Sequence, residues 1–460
     1  MIVNYFRTFV ISLITASALV TSFVVKSLAQ INPDTTLPNN SSVRLEGNTN
    51  IIESGTTQGG NLFHSFSEFS VPNSSTAFFN NALDVQNILA RVTGNSISDI
   101  NGLIRSSGKV NLFLINPNGI IFGQNARLDV GGSFLATGAS SIKFADGFEF
   151  SAKSSQPTPF LTISVPIGLQ FGANPGFIQV QGNGKGARNF NSPIIDIQDS
   201  LRVQPDKTLA LVGGDINLEG ATLKTAGGRI ELGSVKGNGL VNLTPNNKGF
   251  ALGYSNVQDF GNIQLSQQTN VDASGEGGGD IQISGRRVTV TNASRIETST
   301  LEAKQGGNLV VNASEFLEAR NSELLTRVYP KATGNAGNFT INTRELLVLD
   351  GARISSDTFG AGKGGNLVIN TDSIQVIGRS SNGRRSSLSA QQAQSTGNAG
   401  NLTINTRELL IQDRALVSAG TSGIGKGGDL DVTAQTIQVI DGTLTTQTQS
   451  IGNAGNLTIN

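Results

Sequence analysis

Apolar residues in the second half of the chain fall at fixed offsets from a recurring Gly-(Asn/Asp) dipeptide. The sets Ile281/Ile283/Val288/Val290, Phe339/Ile341/Leu346/Val348, Leu367/Ile369/Ile374/Val376, Leu402/Ile404/Leu409/Ile411 and Leu430/Val432/Ile437/Val439 share one layout. Each has two apolar residues at period two, an odd step, and a second such pair. Period two marks a strand with one buried face, and an odd step switches the inward parity, so a corner lies between the strands. A polar, small, then apolar segment follows, as in Asn292-Ala293-Ser294-Arg295-Ile296 and Asp350-Gly351-Ala352-Arg353-Ile354, and predicts a third short strand. The dipeptide's polar residues are Asp280, Asn308, Asn338, Asn366, Asn401, Asp429 and Asn456, at spacings of 28, 30, 28, 35, 28 and 27. The longest spacing contains the Arg/Ser-rich stretch 379–385, which reads as a loop inserted into one repeat. Three short strands and three corners in about 28 residues make one coil of a parallel β-helix, with coils stacked about 4.8 Å apart. A helical repeat is disfavoured because β-branched residues, Thr, Asn and Gly dominate the units. The recurring Asn either takes a left-handed backbone at a corner or hydrogen-bonds from coil to coil, and both roles are structural.

The first 29 residues have a different texture. Arg7 and the α-amine precede an uncharged apolar run from Phe9 to Val25, and Ser27-Leu28-Ala29 supplies small residues before Gln30. This is the pattern of a signal-peptide helix cleaved between Ala29 and Gln30; a single membrane anchor is the alternative. No later stretch is apolar enough to span a bilayer. The mature chain is expected outside the cytoplasm, in contact with a membrane only while it is exported.

From Gln30 onward the text is irregular and rich in Asn, Ser and Phe. It contains Gly59-Gly60-Asn61-Leu62-Phe63-His64-Ser65-Phe66, Phe78-Phe79-Asn80-Asn81, and the run from Val110 to Gly123 that includes Asn116-Pro117-Asn118-Gly119. Leu112/Leu114 and Ile120/Phe122 flank a tight turn. Pro117 presets φ there, Asn118 and Gly119 accept positive φ, and Asn116 can bond its own backbone. These motifs, with Val212-Gly213-Gly214-Asp215-Ile216 and Ala226-Gly227-Gly228-Arg229-Ile230, closely resemble the two-partner-secretion domain, also called the filamentous haemagglutinin N-terminal domain. The resemblance runs from about Gln30 to about Ser284. It implies an all-β, right-handed parallel β-helix with an N-terminal β cap, of the pectin-lyase-like solenoid kind. The implied organisation is a signal peptide over 1–29, a secretion domain over 30–284, and repeats over 285–460. It also implies recognition by an outer-membrane transporter with periplasmic POTRA domains and a β-barrel pore, and delivery to the cell surface or medium as an adhesin. Many relatives carry a second Asn-Pro-Asn motif; the nearest stretch here, Asn174-Pro175-Gly176, differs in residues and spacing. Only Asn116, Pro117, Asn118 and Gly119 therefore carry over as secretion-signal residues, with a purely structural turn as the other reading. Asn61, Phe63, His64 and Phe66 mark the capped start of the helix.

Composition narrows the alternatives. Lys+Arg and Asp+Glu are both 33, and this balance lacks the basic surface that nucleic-acid binding requires. There is no Cys and one His, which excludes disulfides, thiolate metal sites and a Cys nucleophile and leaves little for His chemistry. Gly360-Ala361-Gly362-Lys363-Gly364-Gly365 and Gly423-Ile424-Gly425-Lys426-Gly427-Gly428 lack the Ser or Thr that a phosphate loop places after its Lys, and both occupy the same point of the repeat. No cofactor is expected. A β-helix lyase or glycosidase is the enzymatic alternative. It requires clustered carboxylates and aromatic sugar platforms, and the chain has no Trp and three Tyr. A structural extracellular matrix component is the third reading. Host or neighbouring-cell glycans are the candidate ligands of an adhesin. The last residues, Leu457 to Asn460, begin a further repeat, so the sequence is expected to be a fragment or a prematurely ended reading frame of a longer protein.

Overall fold

A computed structural model describes residues 31–153 and 160–460; the leader and its cleavage residues, Ala29 and Gln30, lie outside the described residues. Every regular element among the described residues is a strand. The chain winds as a right-handed parallel β-helix with three faces. The first face begins at Asn61–Phe69, continues through Asn87–Val92, Asn111–Ile115, Phe134–Thr137 and Thr208–Gly213, and runs on to Leu457–Ile459, each strand parallel to the next. The second face includes Ser98–Ile100, Ile120–Phe122 and Ile178–Gln181. The third includes Leu223, Val271, Ile296, Leu324 and Ile354 at equivalent positions of successive coils.

The inward positions are those the offsets select: Ile281, Ile283, Val288, Val290, Phe339, Ile341, Leu346 and Val348 are all buried in one continuous core. That core passes without a break through Asp280–Val290. In this coil and the next two the corner between first and second faces is a bulge within a single long strand, with register shifts at Gly285/Arg287 and Ala313/Phe316. In later coils it separates two strands, as at Leu367–Asn370 and Ser373–Ile377. Left-handed residues gather instead at the corner between second and third faces: Asn292, Ala293, Asp350, Asp413 and Arg414 all have φ between 54° and 65°.

The recurring Asn is not left-handed. Its Oδ1 accepts the backbone N–H of its counterpart one coil on, from Asn308 to Asn338 (3.0 Å), Asn338 to Asn366 (3.0 Å) and Asn401 to Asp429 (3.1 Å). A second ladder runs side chain to side chain through Asn312, Asn342, Asn370 and Asn405 at 2.8–2.9 Å. Replacing Asn342 by Ala interrupts this ladder and is expected to cost about 1 kcal/mol, read from the urea unfolding midpoint.

The amino terminus is closed by a cap. Ile31–Pro33 and Thr56–Gln58 pair antiparallel with Asn61–Phe69, and the hairpin Ser41–Glu46/Thr49–Ser54 joins the third face through Thr76–Phe79. Two excursions leave the coils at the corner after the first face. They build one antiparallel sheet in the order Glu149–Ser151, Ser141–Phe144, Pro166–Phe171, Gly239–Asn246, Gly249–Val257. This sheet covers the outside of the first face, so the early coils bury both sides of that face. Phe63, Leu89, Phe113, Leu135 and Ala210 point outward into a second core against Phe144, Phe150, Leu169, Val241 and Phe250.

Candidate secretion-signal site

Asn116, Pro117, Asn118 and Gly119 form the corner between Asn111–Ile115 and Ile120–Phe122 in the third coil. The turn closes through Gly119 N–H donating to Asn116 O (3.1 Å). Asn116 is fully buried. Its Nδ2 donates to Ser96 O and Ser98 Oγ, both at 3.0 Å, and its Oδ1 accepts from Asn118 N–H (2.9 Å) and Asn118 Nδ2 (3.0 Å). Asn118 Nδ2 also donates to Gly94 O (2.8 Å), so both Asn amides knit the second coil to the third. Gly119 has φ +120°, and a Cβ on it would lie 2.8 Å from the Phe177 ring. Asn118 does not adopt the positive φ expected of it.

What faces outward differs from what the motif spells. Pro117 and Gly119 are buried and Asn118 is half-buried. The register places Ile97 and Phe177 on either side of Gly119, in the coils before and after. Both are partly exposed, Ile97 at 39% and Phe177 at 38%. The exterior of this corner is therefore Ile97, Asn118 and Phe177; sequence reasoning missed the first and last because nothing in the one-dimensional pattern aligns them with Gly119. Asn174-Pro175-Gly176, which differs from the family motif in residues and spacing, stacks on the same corner: Ile120 N–H donates to Phe177 O (2.9 Å), and a Cβ on Gly176 would meet Asn116 O at 2.7 Å. The excursion from Ser141 to Phe171 accounts for the altered spacing.

The cap motif splits by strand alternation. Phe63 points outward, 5.0 Å from the Phe150 ring and 6.0 Å from that of Phe144. His64 and Phe66 point inward. His64 Nδ1 lies 2.9 Å from Ser41 Oγ, and burial holds its pKa down at about 3, so the ring is neutral. Asn61 Nδ2 donates to Ser164 O (2.8 Å), and its Oδ1 accepts from Asn87 Nδ2 (3.0 Å), which ties the first coil to the excursion and to the second coil.

Arg91, one coil above Ser65 in register, is buried. It donates to Ser65 Oγ (2.8 Å), Thr36 Oγ1 (2.8 Å) and Ser151 O (2.6 Å), with its guanidinium 4.4 Å from the Phe150 ring centre. Burial lowers its pKa to about 10, and the nearby Asp34 carboxylate opposes that fall. Asp34 accepts from Ser65 and Thr93 hydroxyls at 2.7 and 2.6 Å, so one buried charge network joins cap, first face and excursion. Among the described residues no group of three His, Asp or Glu side chains is placed to hold a metal ion.

A capped β-helix whose early coils are sheathed by an antiparallel sheet, with an Asn-Pro-Asn-Gly corner near its start, is the secretion domain of an exported solenoid protein. The sequence profile of the TPS secretion domain matches residues 29–283, more than half of the chain, and the chain belongs to that family. Its members are exoproteins of two-partner secretion, which leave the cell across an outer membrane with the help of a partner transporter. No curated protein matches the sequence. Among the chains of known structure that do match is the HMW1 secretion domain from Haemophilus influenzae, 17% identical with a TM-score of 0.58, aligned over 92% of this chain and 98% of that one. At that identity the likeness concerns the fold alone.

Proposed function

We propose that the chain is a haemagglutinin-like adhesin, secreted or held at the cell surface, and that residues 30–284 are its address and residues 285–460 its binding stalk. The leader, residues 1–29, is removed at the inner membrane. POTRA domains of the partner transporter read the corner at Asn116–Gly119 through Ile97, Asn118 and Phe177, and its β-barrel passes the chain. The observation that carries this reading is the part-exposed apolar pair on either side of Gly119, an outward feature at a motif whose Asn116 amide is spent inside the fold. Beyond the coil of Asp280, whose Gln282 still donates to Leu252 O, the first face leaves its covering sheet behind and presents a partly exposed row that is uncharged at Val310, Thr340, Val368 and Thr403 and carries Asp431 in the next coil. That surface supports a stalk that binds neutral ligands such as glycans. No enzymatic activity is proposed.

The test is coexpression with a cognate transporter. Wild-type protein should reach the medium only when the transporter is present. The double variant Ile97→Ser/Phe177→Ser should reach it several-fold less while the purified protein still folds, its stability lowered by only the about 2 to 3 kcal/mol that two part-buried apolar side chains contribute. Undiminished secretion of this variant would remove the corner from the recognition surface.

A further inference from the structure

Between Ile178–Gln181 and Leu201–Arg202, residues 183–200 leave the coil and form no strand. They begin in the fourth coil yet run along the third face over later coils, touching them one after another. Arg188 is buried and donates from Nε to Asp272 Oδ2 (2.9 Å). Lys224 Nζ, from the coil before, sits between Asp196 (2.6 Å) and Asp272 (3.1 Å). Arg295 Nη1, one coil further, donates to Arg188 O (2.9 Å). The Phe190 ring stands edge-on to Tyr329 at 4.9 Å, one coil further still, and tilted over Phe359 at 5.1 Å, in the coil after that. Tyr329 is itself fixed by its hydroxyl donating to Glu297 (2.8 Å).

Arg188 also folds back onto its own segment, donating to Pro193 O and Ile194 O at 3.0 and 3.1 Å. The segment thus has a built shape and a built docking groove. Lys224 and Asp272 are each 1% exposed, and Asp196 and Arg188 of the segment complete their ion pairing.

We infer that residues 183–200 are a strap that locks the coils beyond the family-matched region onto the secretion domain, so that the locked unit extends to the coil of Phe359. The strap closes only when residues from Ile178 to Phe359 are together on one side of the membrane. Each coil adds only a nearest-neighbour contact, and the strap adds the cross-coil contact that such a stack lacks. During export it opposes return of the emerged coils through the pore. This goes beyond the proposed function and holds whichever partner moves the chain.

The experiment is limited trypsin digestion of the full mature chain under native conditions, following two bonds. Cleavage after Arg188 requires the strap to lift, and cleavage after the buried Arg91 reports global unfolding. Phe190 is 46% exposed, so Phe190→Ser leaves the coils able to form. This variant should speed cleavage after Arg188 about tenfold, the scale of one lost aromatic contact, with cleavage after Arg91 unchanged. Phe359→Ser, several coils away in sequence, should produce the same acceleration after Arg188, and the double variant should add nothing to either single one. Cleavage after Arg188 in Phe359→Ser within twofold of wild type would overturn the strap. So would equal acceleration at Arg91 in both single variants, since that reports general loosening and no local latch.

Discussion

Asn116→Ile is expected to lower the stability of the purified chain by about 3 to 5 kcal/mol, read from urea unfolding, and to abolish secretion as a consequence. The side chain is fully buried, and its amide is used at both ends. The substitution takes the partner of Asn118 N–H and of the buried Ser98 Oγ, and one bond each from Ser96 O and Asn118 Nδ2, and a buried unpaired group costs about 1 to 3 kcal/mol. Ile also adds branched bulk where none fits. Gly119→Val should fall in the same range, because a β-branched residue is strained at φ +120° and its Cβ would press on Phe177. Asn118→Ala removes fewer bonds from a half-exposed site and should cost about 1 kcal/mol. If Asn116→Ile were secretion-dead while unfolding at the wild-type urea concentration, the buried amide would be read directly by the transporter, against the assignment of that role to Ile97, Asn118 and Phe177.

The repeat was legible because the β-helix writes itself into one dimension. Ile281, Ile283, Val288 and Val290 recur at the same offsets coil after coil because each must fill the same inward position. The turn at Asn116–Gly119 was legible for a local reason, since Pro, Asn and Gly select few backbone shapes. The second core was not foreseen. Its signal was nevertheless present: Leu112-Phe113-Leu114-Ile115 and Leu209-Ala210-Leu211-Val212 are unbroken apolar runs, not alternating ones, and an unbroken run is what a strand buried on both faces requires. The strap and the Arg91 network escaped for another reason. Arg188 meets Asp272, and Arg91 meets Thr36 and Ser151, across separations that no local pattern encodes.

Two buried groups of opposite sign set the pH dependence, and the expected result is a plateau between pH 4.5 and 6.5 that either single substitution destroys. His64 has its pKa lowered from 6.5 to about 3 by burial, so between those values the unfolded chain binds a proton that the native state refuses. Stability is therefore lost as pH falls through that window, by about 1.4 kcal/mol per pH unit and roughly 5 kcal/mol in all. Glu231 is fully buried beneath Gly249–Val257, where it accepts the Leu252 N–H (3.2 Å), and it pairs with Arg229 at 2.5 Å. Burial raises its pKa from 4.5 to about 7, against the pull of Arg229. Here the native state holds the proton that the unfolded chain releases, so stability is gained as pH falls from 7 to 4.5, by roughly 3 kcal/mol. The slopes cancel where the windows overlap. Below pH 4.5 the His64 loss is unopposed, and it deepens as Asp34 and Asp272, both held below the usual carboxylate range, take up protons. In Glu231→Gln the acid loss should begin near pH 6.5 in place of 4.5. In His64→Asn, which keeps a hydrogen-bonding group near Ser41 Oγ, stability should rise as the solution is acidified from pH 7 to 4.5. Urea unfolding of the three proteins from pH 4 to 8 measures this directly, and a Glu231→Gln curve parallel to wild type would show that the buried carboxyl does not carry the compensating slope.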